Sequence, residues 1–136
     1  MSFKATLIVG GDEINLNYYY LDINQDVDSR GRPSSIPKGG KITAEFDSLG
    51  NDDFVANWAA DPVKAISGSI QFRGISASSV QKEITFVNGI CVEFSERFDS
   101  TSSSSMTTVI TITSPEVKID GGKHDNYWDS QYKGAK

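Results

Sequence analysis

Acidic and amide side chains recur at every second position in Asp22-x-Asn24-x-Asp26-x-Asp28, the spacing that opens an EF-hand calcium loop. Such a loop also needs glycine at its sixth position and glutamate at its twelfth. Here Val27 and Pro33 stand at those places, so the row reads as a solvated or contact-making face of a strand and not as a metal site. His124 is the sole histidine, which excludes a two-histidine metal site or a histidine relay. With Asp125 beside it and Asp129 nearby, it reads as a hydrogen-bonded structural residue. Cys91 lies inside an alternating apolar segment with no helix terminus next to it to lower its pKa, so it reads as a structural thiol. Glu45, Glu83, Glu93 and Glu96 have the chemistry of a glycosidase acid–base pair, but glutamates scattered along strands are ordinarily surface charges. The chain has neither a Gly-x-Ser-x-Gly nucleophile turn nor a phosphate-binding glycine loop. Tyr18, Tyr19, Tyr20, Trp58, Tyr127 and Trp128 offer faces for stacking sugar rings, although such side chains more often fill cores and subunit interfaces. The expectation is a protein with no enzymatic activity, no metal and no cofactor.

The chain that must position these residues has 136 of them, enough for one core, so residues 1–136 are expected to form a single domain with 129–136 as a disordered tail. Apolar residues make up 38%, the level of an ordinary globular protein. The net charge of −5, with 13 Lys and Arg spread along the chain, argues against nucleic acid and anionic lipid as partners. Leu7-Ile8-Val9 is far too short an apolar run for a signal-peptide core or a spanning helix, so no membrane insertion is expected. A lone cysteine cannot form an internal disulfide, which suits folding in a reducing cytoplasm.

Period-two alternation dominates the pattern, the mark of half-buried strands. Phe3, Ala5, Leu7 and Val9 give a first strand ending at Gly10-Gly11. Ile14, Leu16, Tyr18 and Tyr20 give a second, after which the parity flips to Leu21, Ile23 and Val27. A one-residue phase change of this kind predicts a β-bulge near Tyr19 to Leu21. Residues 29–40 carry no periodicity and two prolines, and are expected to form a long loop. Ile42, Ala44 and Phe46 resume the strand pattern. Phe54, Val55, Trp58 and Ala59 then make one face of a helix, with Phe54 and Trp58 as its core contacts. Asn51 or Asp52 caps it and Asp61-Pro62 ends it. Further strands follow at Ile66 to Phe72, Ile84 to Phe86, Ile90 to Phe94, Met106 to Thr113 and Val117 to Ile119, with the Ser-rich residues 100–105 as a loop tip. Seven or eight strands and one helix suggest a closed or sandwiched β-barrel with the helix packed on it.

Asn88-Gly89 between apolar runs is a strong hairpin signal. A two-residue hairpin there sets Phe86 opposite Cys91 and Ile84 opposite Glu93, so that apolar meets polar. A strand that kinks at Gly89 and runs on keeps Ile84, Phe86, Ile90, Val92 and Phe94 on one face, and the alternation favours the kink.

Several segments carry a resemblance that spans nearly the whole chain. They are the opening Met1-Ser2-Phe3-Lys4-Ala5 with Leu7 and Val9-Gly10-Gly11, then Asp28 with Gly31-Arg32-Pro33-Ser34-Ser35, and Gly39-Gly40. Glu45-Phe46 with Trp58, Glu96-Arg97-Phe98-Asp99, and Gly121-Gly122 with His124 and Trp128 complete the set. In this order and at these intervals they are similar to the type VI secretion tube proteins, the haemolysin-coregulated protein family (Hcp, TssD), in its divergent branch. The resemblance implies a β-barrel of two packed antiparallel sheets with one short helix, related to phage tail tubes. It also implies a homohexameric ring, and rings stacked into a tube inside a contractile sheath, with sheath, baseplate and spike proteins as partners and effectors in the lumen. The tube would assemble in the cytoplasm and leave without a signal peptide.

The family places an extension used between stacked rings after the second strand. Carried onto this chain, that role falls on Arg30, Arg32, Pro33, Ser34, Ser35, Pro37, Gly39 and Gly40. The prolines stiffen the loop, and the arginines suit paired carboxylate contacts, with Asp22, Asp26 and Asp28 of an adjacent copy as acidic partners. The Tyr18-Tyr19-Tyr20 run and the residues beyond Trp128 match nothing in the family pattern. Two readings from other classes are a carbohydrate-binding β-sandwich, which a glycan panel would reveal, and a small hydrolase, which needs a carboxylate pair in a cleft.

Overall fold

The computed structural model describes residues 3–35, 38–48, 53–74, 80–101, 103, 106–119 and 122–125. Among them run β1 (Phe3–Val9), β2 (Asp12–Leu16), β3 (Tyr18–Asn24), β4 (Lys38–Asp47), α1 (Asp53–Ala60), β5 (Ile66–Gly74), β6 (Val80–Phe98), β7 (Met106–Thr113), β8 (Glu116–Ile119) and β9 (Gly122–Asp125). The strand pairs are antiparallel, in the path β2-β1-β5-β6-β7-β4-β3, with β8 on β6 and β9 on β8. β6 holds the architecture together. Its residues 80–89 pair with β5 and β8, and its residues 90–98 pair with β7. It is thus shared by sheet I (β2, β1, β5, β6, β8, β9) and sheet II (β6, β7, β4, β3).

The turn of β6 from one sheet to the other falls at Asn88-Gly89. Asn88 has a φ of 54°, and Gly89 is buried where a Cβ would lie 2.7 Å from Phe86 Cδ1 and 2.9 Å from Ile112 Cγ2. Only glycine fits without displacing those side chains. The strand kinks and runs on; it does not turn back as a hairpin. One detail of the expected face is corrected. Cys91 pairs with Ile112 and Glu93 with Thr111, leaving Val92 as the extra residue of a bulge, and Val92 is 56% exposed.

The expected bulge near Tyr19 to Leu21 is also corrected, because the phase change occurs at Asn17. There the chain leaves sheet I and enters sheet II. The Asn17 amide donates to the Glu45 carbonyl at 2.7 Å and its Nδ2 donates to Asp47 Oδ1 at 2.9 Å. Ile14 and Leu16 pack on the core in β2, and Tyr19 and Leu21 take over that face in β3, so Tyr18 and Tyr20 point outward. A register shift does occur in β3, farther on between Asp22 and Ile23. β2 and β3 stand at the two ends of the path, so among the described residues the fold is mainly β with one short helix, and the sheet is not a closed barrel.

Leu7, Val9, Ile70, Ile84, Phe86 and Val117 from sheet I and Ile42, Ala44, Phe46, Ile110 and Ile112 from sheet II form one buried cluster. Tyr19 crosses it to pack edge-on against Phe72 at 5.0 Å between ring centres. Helix α1 adds Val55 and Trp58, both buried. Asp53 lies in its first turn, where negative charge suits the helix end, and it stops before Asp61-Pro62. Its expected caps, Asn51 and Asp52, lie outside the described residues. Trp58 is fully buried, stacks on Phe86 at 6.2 Å, and its Nε1 donates to the Gly89 carbonyl at 3.0 Å and the Lys64 carbonyl at 3.1 Å. It therefore pins the helix to the kink of β6. Phe54 is partly buried beside it, with Lys64 Nζ 5.4 Å from the centre of its ring.

Candidate functional site

The connection between β3 and β4 is not the structureless loop that the lack of periodicity predicts. Residues 26–35 form a finger with its own pairing. Val27 bridges Pro33, the Ser34 amide donates to the Asp26 carbonyl at 2.7 Å, and the Asp26 amide donates to Ser35 Oγ at 2.9 Å. At the tip the Asp28 amide donates to the Arg32 carbonyl at 2.8 Å and the Gly31 amide to the Asp28 carbonyl at 3.0 Å. Gly31 has a φ of 81°, the left-handed conformation that a three-residue hairpin loop places at this point. Ser29 and Arg30 are the central residues of the turn.

Asp28 is the hub of this finger. Its Oδ1 accepts the amides of Arg30 (2.9 Å) and Arg32 (3.0 Å), and its Oδ2 accepts Arg32 Nε at 2.8 Å. These donors, the Arg32 amide first and then that of Arg30, hold its carboxyl below the ordinary value of 3.8. Of the two arginines expected to act together, Arg32 is thus engaged within its own chain, while Arg30 has an exposed side chain. Pro33, Ser34 and Ser35 build the finger, Gly39 and Gly40 belong to β4, and Pro37 lies outside the described residues. The acidic row is divided: Asp22 sits in β3 and accepts Asn24 Nδ2 at 3.2 Å, whereas Asp26 and Asp28 belong to the finger. The cue missed in the sequence is Asp28-x-x-Gly31, an aspartate able to accept amides two residues on, followed by a glycine for the left-handed position.

The groups weighed for chemistry are dispersed. Gln71 Nε2 donates to Glu83 at 2.9 Å in sheet I, Thr111 Oγ1 donates to Glu93 at 2.8 Å in sheet II, and Ser48 Oγ donates to Glu96 at 3.4 Å. Ser48 also shares a short hydrogen bond with Thr108. Burial pushes the Cys91 thiol up to about 11, leaving it protonated at neutral pH. No group of three or more His, Cys, Asp and Glu among the described residues can hold a metal ion. His124 lies in β9, a strand that its sequence, Gly-Lys-His-Asp, does not advertise. Tyr127 and Trp128 lie outside the described residues.

What the surface does offer is contact area. Tyr18 and Tyr20 are 52% and 53% exposed on β3, at one end of the strand path, and Phe98 at the end of β6 is 66% exposed. Apolar and aromatic groups left in water in this way suit association.

Comparison with known proteins gives this surface its context. No curated protein matches the sequence. The structure of Hcp1 from Flavobacterium johnsoniae is 28% identical, with a TM-score of 0.86 over 90% of this chain and 99% of that one. Hcp1 from Salmonella typhimurium shares the fold at 11% identity, with a TM-score of 0.67 over 85% of each chain. So does a chain of the sheath–tube complex of the extracellular contractile injection system PVC, at 18% identity and a TM-score of 0.65 over 85% of this chain and 87% of that one. The family model described as haemolysin-coregulated protein Hcp (TssD) matches residues 1–129. The chain therefore belongs to the Hcp (TssD) family, the structural tube proteins of type VI secretion.

Proposed function

We propose that this chain forms hexameric rings that stack into the inner tube of a type VI secretion apparatus, surrounded by a contractile sheath and able to carry effectors in its lumen. The family match over residues 1–129 carries this reading. Tyr18 and Tyr20 supply aromatic area for a neighbour within the ring, and the finger reaches toward the next ring. The tube assembles in the cytoplasm, beside baseplate and spike proteins, and leaves when the sheath contracts, with no signal peptide needed. No helix among the described residues is long and apolar enough to cross a membrane. The role is structural and needs no catalytic group.

Light scattering on the purified chain tests this directly, with a mass of six copies of 14.8 kDa as the expected result. A monomer at every concentration and salt level defeats the proposal. Six copies at −5 each give −30 for a ring, so self-repulsion is appreciable at low ionic strength. Ring formation should hold or strengthen as salt rises to moderate levels. A ring dissolved by salt would mean that opposite-charge pairs dominate its contacts.

A further inference from the structure

We infer that Arg30 alone of the two finger arginines grips the next ring, and that it does so on the acidic end of sheet II, around Asp99, in another copy of this chain. This rests on the ring reading above and names the partner surface within it. Arg32 is excluded by geometry. Its Nε and its amide both donate to Asp28 of the same finger, at 2.8 Å and 3.0 Å, so its charge is already matched. Arg30 gives Asp28 only its backbone amide, at 2.9 Å, and sits at the centre of the turn with its side chain exposed. The paired backbone behind it is set in place before any contact is made, which keeps the ordering cost of docking low.

The register of sheet II locates the acceptor. The finger leaves the end where Asn24 pairs with Lys38. At the other end Asp47 and Arg97 both pair with Thr107, Glu96 pairs with Thr108, and Asp99 follows Phe98. Asp47 shares a face with Arg97 and Glu96 lies on the other, so with Asp99 this end of β4 and β6 carries three carboxylates and one cation among the described residues. Asp99 Oδ1 accepts the Thr101 amide at 3.0 Å and its hydroxyl at 2.7 Å, which fixes the carboxylate at the strand end. From Lys41 to Asp47 the sheet alone spans about 20 Å at ~3.4 Å per residue. The base of the finger and the acidic end of one chain therefore lie at opposite ends of sheet II. A second copy displaced along the strand axis brings them together. Such a contact uses two different patches, so it repeats without closing and builds a file of rings.

The test uses full-length protein, with rings measured by light scattering and stacks by sedimentation and negative-stain imaging. Arg30→Glu should leave rings intact and lower the stacked fraction roughly tenfold or more, since every subunit of a ring loses the same contact. Asp99→Arg should do the same alone, and should restore stacking when combined with Arg30→Glu. Arg30→Lys treated with a zero-length carbodiimide should yield an intermolecular cross-link to the peptide holding Glu96 and Asp99, or to that holding Asp47. Normal stacking by Arg30→Glu overturns the inference. So does failure of rescue by arginine at each of positions 47, 96 and 99. Rescue by reversing Asp22 or Asp26 also overturns it, because finger would then meet finger and assembly would stop at paired rings. Loss of the ring itself in Arg30→Glu places the finger inside the ring, and wild-type rings that never stack refute the contact; both leave the ring reading standing. A monomeric wild type refutes that reading as well.

Discussion

Trp58 and Asp28 each tie a bend of the chain in place, by opposite physics. Trp58 is fully buried, stacks on Phe86 and donates its indole hydrogen to the Gly89 and Lys64 carbonyls. The kink it holds is shaped by packing against Phe86 and by two backbone carbonyls. Asp28 lies at the surface and holds the finger through two amides and a guanidinium. Packing supports the finger little, so its geometry depends on hydrogen bonds, those of the Asp28 carboxylate together with the backbone pairing of Asp26 with Ser34 and Asp28 with Arg32. The core seam thus determines whether the chain folds, and the finger determines what a folded chain can dock against. Alterations at the two places should separate cleanly.

The largest effect is expected at the seam. Trp58→Ala removes the stack on Phe86 and both indole hydrogen bonds, and should cost about 3–5 kcal/mol. Thermal melting followed by circular dichroism should show a fall of roughly 10–20 °C. An unchanged melting temperature would mean that the indole is not part of the core. Gly89→Ala should cost less, about 1–3 kcal/mol, because its Cβ meets Phe86 and Ile112 at under 3 Å and the neighbours must shift. Asp28→Ala should leave the melting temperature nearly unchanged while amide exchange at Arg30 and Arg32 speeds up. A large loss of global stability there would erase the distinction between the two regions. The pH dependence has a definite sign. The Asp28 carboxyl lies below 3.8 in the folded chain, so its contribution is fully present above that value and is lost as pH falls through the lower folded value. Exchange at the Arg30 and Arg32 amides, corrected for its intrinsic pH dependence, should be flat from pH 7 to about 4.5 and rise in more acidic solution.

The same contrast explains how much the sequence disclosed. Buried elements were legible because burial imposes a period. Ile42, Ala44 and Phe46, the Phe54–Trp58 helix face, and the continuation of β6 through Asn88-Gly89 all appear in the alternation. The crossing at Asn17 lies two to four residues before the expected bulge, since three tyrosines in a row satisfy either face and hide the change of parity. The bulge at Val92 was invisible for a related reason. Val92 is as apolar as its neighbours, and only the register with β7 reveals that it has no partner. The finger leaves no such trace, because its order comes from backbone and side-chain-to-backbone hydrogen bonds, which carry no hydrophobic period. The split between Arg30 and Arg32 followed from the same blindness. Two arginines with a single glycine between them look equivalent until Asp28 is seen to engage the side chain of one of them.

The sharing of β6 has a consequence for how the protein folds and unfolds. Nineteen residues of one strand serve both sheets, and neither sheet can shed its part of β6 without pulling on the other through the Asn88-Gly89 kink. The two sheets should therefore melt as one cooperative unit, with coincident transitions by fluorescence and circular dichroism. Formation of that unit must await contacts between segments far apart in sequence, such as β1 with β5 and β4 with β7. Folding should accordingly fall in the slow, millisecond-to-second range of topologies rich in non-local pairing.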